Sequence, residues 1–146
     1  MEISTLGTSG ISAERFFGLL KEFGITSIID TRLHPSSQLA GFTKRESLGY
    51  FAKALLEIPY IHEPLLCPED QALKSYRSDN LEWREYEVAY VDLLKERKAG
   101  DTIDRSDWGA KPLLLCSEKT PQNCHRRLAA DYLKKSWSDV LDIRHL

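Results

Sequence analysis

The sequence predicts an α/β domain: a single three-layer unit, residues 1–146, with a mainly parallel sheet of about five strands and helices on both faces. Three observations carry this expectation. Short runs rich in β-branched residues or leucine alternate along the chain with longer segments whose apolar residues recur at helical spacing. A chain of 146 residues, 42% hydrophobic and 29% charged, has the size and composition of one ordinary globular domain with a real core. It contains no internal repeat, low-complexity tract or linker that would divide it.

The elements follow in order. Glu2 to Leu6 reads as a strand ending at Gly7. Ser12 can cap a helix whose Phe16, Leu20 and Phe23 share a face, and Gly24 stops it. Ile25 to Asp30 is a buried strand, and Leu33 to Phe42, with its His, Pro, Ser and Gly, is a loop. Thr43 with Glu46 matches a capping box opening a helix through Leu48, Phe51, Ala52 and Leu55. Pro59 to His62 is the third strand. Pro68-Glu69-Asp70 has the proline and acids of a helix's first turn. A long helix starts at Asn80, faces Tyr86, Tyr90, Leu93 and Leu94 inward, and ends at Gly100. Asp101 to Lys111 is a polar loop carrying Trp108. Pro112 to Cys116 is the fourth strand, Pro121 to Lys135 a helix burying Leu128, Ala129, Tyr132 and Leu133, and Val140 to Ile143 the last strand.

If the strands are parallel, their C-terminal ends share one edge, where open α/β sheets bind ligands. Gly7-Thr8-Ser9, Arg32-Leu33-His34, His62 and Cys116-Ser117-Glu118 each follow a strand, so all four groups should meet there. The densest stretch is Leu113 to Arg127, where an apolar strand gives way to Cys116, Glu118, Cys124, His125 and Arg126 around a helix start. Helix N-termini attract anions and lower thiol pKa values.

Each candidate has two readings. Cys124, in the first turns of that helix, is a nucleophile or redox thiol, or a small buried packing residue. Cys116 and Cys67 read as structural. Glu118 is a general acid or base, or an arginine's salt-bridge partner. Arg32 and Arg126 could clamp a phosphate or carboxylate, or pair internally, Arg32 with Asp30 or Glu118. His34, His62 and His125 are candidates for proton transfer or structural hydrogen bonding. Ser9 belongs to Thr5 to Gly10, a loose phosphate-loop candidate or a plain strand-to-helix turn, without dinucleotide or Walker spacing. A Cys-x5-Arg phosphatase loop and a Gly-x-Ser-x-Gly elbow are both missing. Cys116, Cys124 and His125 match no common zinc spacing, so no metal site is assigned.

Formal net charge is -2 and the pI about 6.1, which argues against a general nucleic-acid binder while leaving room for a local basic pocket. Three cysteines form no disulfide framework and suit a reducing, cytoplasmic setting. No signal-peptide pattern or membrane-length apolar run is present.

Taken in order, Thr5-x-Gly7-x-Ser9, Asp30-x-Arg32 with Pro35 and Ser37, Phe42, Tyr60-x-His62, Cys116-x-Glu118, Cys124-His125-Arg126 and His145 resemble the domain of unknown function 488 family. The resemblance covers nearly the whole chain, with Cys-x-Glu and Cys-His-Arg its most specific parts. It implies a compact α/β domain of unestablished activity, with Arg32, Glu118, Cys124, His125 and Arg126 as its site. The chain departs from the family at Thr8, where members often have His or Tyr. It departs again at Leu66-Cys67-Pro68, in place of a Leu-Gly-Gly-like turn. Loops at this edge set specificity.

The expectation is therefore an enzyme-like domain acting on a small anionic ligand, such as a nucleotide or nucleic-acid component. Glu118, Cys124 and His125 would be catalytic. Ser9, Arg32, His62 and Arg126 would bind ligand. Two alternatives stand beside it. One is a non-catalytic ligand- or protein-binding module, using the aromatic helix and the Trp108 loop as an interface. The other is a metal-binding protein using Cys and His near the same edge.

Overall fold

The computed structural model describes residues 1–36 and 40–146; Ser37, a part of the family resemblance, lies outside the described residues. In these residues five strands, β1 (Glu2–Gly7), β2 (Ser27–Asp30), β3 (Tyr60–His62), β4 (Pro112–Cys116) and β5 (Asp142–His145), form one sheet in the order β3-β2-β4-β1-β5. All four pairings are parallel. Among the described residues, six α-helices cover it: α1 (Ala13–Glu22), α2 (Arg45–Leu56), α3 (Asp70–Arg77), α4 (Trp83–Glu96), α5 (Ala99–Thr102) and α6 (His125–Ser136), with short 3-10 turns at Gly41–Thr43 and Pro64–Leu66.

Alternation along the strands makes two cores. Ile28, Leu113 and Leu115 pack with Phe16 and Leu20 of α1 and Leu48 and Ala52 of α2. Ile3, Ile29 and Leu114 face the other way, onto Tyr86, Tyr90 and Leu94 of α4 and Leu128, Ala129 and Leu133 of α6. From β1 to β3 the chain steps one way across the sheet with helices on the first face. From β3 to β5 it steps back with helices on the second. A single crossover hand requires that arrangement.

Local signals set most boundaries. Ser12 caps α1, its hydroxyl accepting from Arg15 N at 3.1 Å, and Gly24 takes φ +63 just beyond the helix. Other boundaries differ from the sequence expectation. Thr43 does not cap α2: its hydroxyl donates to Ala40 O at 2.8 Å inside the 3-10 turn, Lys44 is the N-cap, and Glu46 accepts from Ser36. The long helix starts at Trp83 rather than Asn80, because Glu82 and Glu85 form the capping box. Gly100 lies inside α5; the break falls at Lys98, which adopts φ +50. The last helix begins at His125, leaving Cys124 as its N-cap with extended backbone (φ -138, ψ 136).

Trp108 is fully buried, edge-on to Trp137 at 5.3 Å, so it closes the core and offers no interface. Among the described residues, no helix is long and apolar enough to cross a membrane.

Candidate functional site

Strand register gathers the site. Gly7 is level with Cys116, and Asp30 with both Leu115 and His62, so the four strand ends finish within about one residue of each other. β2 and β4 are neighbours whose chains leave towards opposite faces, and ligand crevices open at such a switch point. A cavity of about 70 Å³ lies there. Arg32 and His34 beyond β2, Ser117 and Glu118 beyond β4, and Cys124 and His125 at the start of α6 line one side; Tyr76, Arg77 and Tyr86 of α3 and α4 line the other.

Arg32 is held from several directions. Asp30 accepts from its backbone N (3.0 Å), Nε (2.8 Å) and Nη2 (2.5 Å), and Nη2 also reaches Thr43 O at 2.8 Å. Tyr60 donates its hydroxyl to the same carboxylate at Oδ2, the oxygen that also accepts from Arg32 Nη2. Burial opposes the guanidinium charge, but the bonds and field of Asp30 outweigh it and raise the Arg32 pKa. Burial and the same carboxylate push the Tyr60 phenol up as well. His62 Nε2 and Cys67 Sγ lie 2.9 and 3.3 Å from Arg32 O. His62 thus supports the Arg32 backbone and does not line the cavity. Burial, chiefly, raises the Cys67 thiol to about 12.

Beyond β4, Cys116 Sγ accepts from Arg126 Nη1 at 2.8 Å and from Glu118 N at 3.2 Å, and lies 2.9 Å from Cys124 Sγ. All three cysteines are free. The two sulfurs share a proton unequally. Desolvation raises the Cys116 pKa, but hydrogen bonding from Cys124 and the Arg126 charge overcome it, and the net shift is downward. Cys124 is driven far up by its bond to Cys116 and by burial. Cys116 is thus the more acidic of the two thiols and Cys124 the less acidic. Arg126, fully buried, completes its contacts at the Glu118 and Lys119 carbonyls. It neutralises the sulfur pair from beneath and does not line the cavity.

His125 Nε2 lies 3.0 Å from both Thr31 O and Thr31 Oγ1. Thr31 Oγ1 donates to Leu115 O at 2.8 Å, so the imidazole must be the donor, with its proton on Nε2 and Nδ1 as the basic nitrogen. Desolvation drives the His125 pKa down to about 4, and the ring is neutral near pH 7. The Glu118 carboxylate is half-exposed, 3.6 Å from Arg77. Its backbone, more than its side chain, ties the centre together. Ser9 is exposed in a separate shallow depression, and its N–H donates to Ser117 O at 3.1 Å.

The cavity therefore brings together Arg32, Glu118, Cys124 and His125. Arg126 lies below it, His62 beside it, and Ser9 across the β1 end. Sequence reasoning missed Cys116, whose place beside an arginine needed the loop fold. It also missed Tyr86, whose helical spacing signalled only core. Two buried polar atoms on cavity-lining residues, Arg32 Nη1 and Tyr86 Oη, have no hydrogen-bond partner among the described residues. Among those residues, too, no group of three or more His, Cys, Asp and Glu could hold a metal ion.

These features define a doubly wound parallel α/β domain in which charged, imidazole and thiol side chains converge on a topological switch point. The family model for the Domain of unknown function DUF488 matches residues 12–133, and the chain belongs to that family. No curated protein and no solved structure matches it.

Proposed function

We propose that the cavity between β2 and β4 binds a compact oxyanion, the phosphate or carboxylate group of a small ligand such as a nucleotide component, and that the domain is enzyme-like. The observation that carries this reading is the pair of unpartnered donors, Arg32 Nη1 and Tyr86 Oη, on residues lining one cavity. A buried donor without a partner costs about 1–3 kcal/mol, which a ligand oxygen would recover. Support also comes from α6. Its N-cap makes no side-chain hydrogen bond, and its amide end and dipole favour negative charge at the cavity wall. The volume suits one tetrahedral or planar oxyanion; the rest of a ligand would extend past Glu118 and Arg77 at the rim.

In this reading Arg32 and Tyr86 hold the anion. Cys124 supplies a thiol with a local base, Cys116, 2.9 Å away, and His125 contributes a neutral imidazole. Calorimetric titration with inorganic phosphate and with acetate, against chloride at equal ionic strength, tests the binding. Saturable binding is expected, weakened about fivefold in Tyr86→Phe, the equivalent of ~1 kcal/mol for one hydrogen bond. Absence of saturation with either anion, or equal affinity in Tyr86→Phe, would overturn the proposal.

A further inference from the structure

The sulfur pair is the most unusual chemistry in the molecule, and it does not depend on whether the cavity holds an oxyanion. Cys116 ends β4 and Cys124 is the N-cap of α6, eight positions later. Their sulfurs are 2.9 Å apart, under about 1 Å from bonding distance. Neither cysteine is locked into the middle of a helix: one is a strand end and the other an extended residue before the first helical turn. Cys67 is held elsewhere, against His62 and the Arg32 carbonyl. The pair is buried, but Cys124 forms part of the cavity wall and Cys116 lies behind it, against Arg126. A small oxidant in the cavity meets Cys124 first.

We propose that Cys116 and Cys124 form a reversible dithiol–disulfide site that takes two electrons' worth of oxidation from a small hydroperoxide. Starting from the pair deprotonated once, at Cys116, the Cys124 proton passes to Cys116, and the Cys124 thiolate attacks the near peroxide oxygen. An S–O bond forms, the O–O bond breaks, and hydroxide or alkoxide leaves and takes a proton from solvent. Cys116 then attacks Cys124 Sγ. The S–S bond forms as the S–O bond breaks, and the hydroxyl leaves as water with the proton that Cys116 had received. Each sulfur gives up one electron and the two peroxide oxygens gain one apiece. A thiol reductant reverses the change by exchange through a mixed disulfide.

Arg126 has a defined part in this. It favours charge on the sulfur pair, which keeps a nucleophilic thiolate in reach by a single proton shift. When the disulfide forms, the anion beside Arg126 is gone, and the guanidinium keeps only the Glu118 and Lys119 carbonyls. The loop after β4, which lines the cavity through Ser117 and Glu118, is tied to that same guanidinium.

The test is to expose the folded full chain to hydrogen peroxide, quench, unfold, alkylate and map peptides by mass spectrometry. The expected result is loss of two of the three thiols, a Cys116–Cys124 cross-link lighter by two hydrogens, and full recovery with dithiothreitol. Cys67→Ser should oxidise as the wild type does. Cys124→Ser should form no intramolecular link. Three intact thiols after treatment, a link that forms only in denaturant, or a bond that uses Cys67 would each overturn the proposal. A chain that oxidises in this way but binds no phosphate refutes the oxyanion reading alone, and the converse result refutes only the redox one.

Discussion

Acidification through the histidine range should unsettle this domain well before its carboxylates titrate. The perturbation acts on His125, whose imidazole is buried and donates through Nε2 to Thr31. Desolvation lowers its pKa from 6.5 to about 4, with Arg126 and Arg77 adding repulsion against the Thr31 bond and Asp30. The unfolded chain therefore binds a proton that the folded chain refuses. The associated stability is fully present above about pH 6.5 and is lost as pH falls from there towards about pH 4, where the folded ring also protonates. A gap of roughly two and a half units at about 1.36 kcal/mol each amounts to about 3 kcal/mol, of which about 2 kcal/mol is gone by about pH 5. That is a large part of the 5–15 kcal/mol typical of a domain. His145, half of a 2.7 Å contact with Thr5, is shifted the same way, mainly by partial desolvation, and adds in the same direction. Urea unfolding measured from neutral pH to about pH 5 in a His145→Asn background isolates His125. His125→Gln, which keeps an amide donor for Thr31, should be less stable at neutral pH but should lose most of the slope. A wild-type stability flat over this range, or a slope unchanged in His125→Gln, would refute the argument.

Two further predictions concern the floor of the site. A Cβ at Gly7 would fall 1.6 Å from the Glu118 carbonyl oxygen and 2.7 Å from Arg126 Nη1, so Gly7→Ala must displace backbone; a loss above about 4 kcal/mol in denaturant unfolding is expected, and a near-neutral result would show that the loop after β4 yields freely. Arg126→Met strips the sulfur pair of its counter-charge. About 3–5 kcal/mol of stability should go, and thiolate formation at Cys116, followed by ultraviolet absorbance, should move to higher pH; if neither changes, Arg126 does not set the acidity of Cys116.

The layered fold was legible because its signals are local and periodic. Ile28 and Ile29, or Leu113, Leu114 and Leu115, declare strands buried on both faces, and Phe16 with Leu20 declares a helix stripe. The gathering of Arg32 and Glu118 at one edge followed from parallel strands alone, and register confirms that the strand ends are level. What could not be read was which side chain would face inward. Arg126 shares a helix start with His125, yet it goes under the loop to Cys116 while His125 reaches Thr31. Those choices depend on carbonyls of residues 118 and 119, which only the folded loop presents. The N-cap of α4 escaped for a different reason: Glu82 is an uncommon cap, and the more familiar Asn80 nearby drew the boundary.

The cavity's two walls are unequal. On one side are β2 and β4, central strands with every residue buried. On the other, α3 has no fully buried residue and packs on the core through the partly buried Ala72, Leu73 and Tyr76, the last stacked on Tyr86 at 5.0 Å. Displacing that helix disturbs little apolar area, whereas displacing a strand breaks the sheet. A ligand bound as proposed would therefore meet a rigid mould at its anionic end and a panel that can give way beyond it, strict for a headgroup and lenient for its tail.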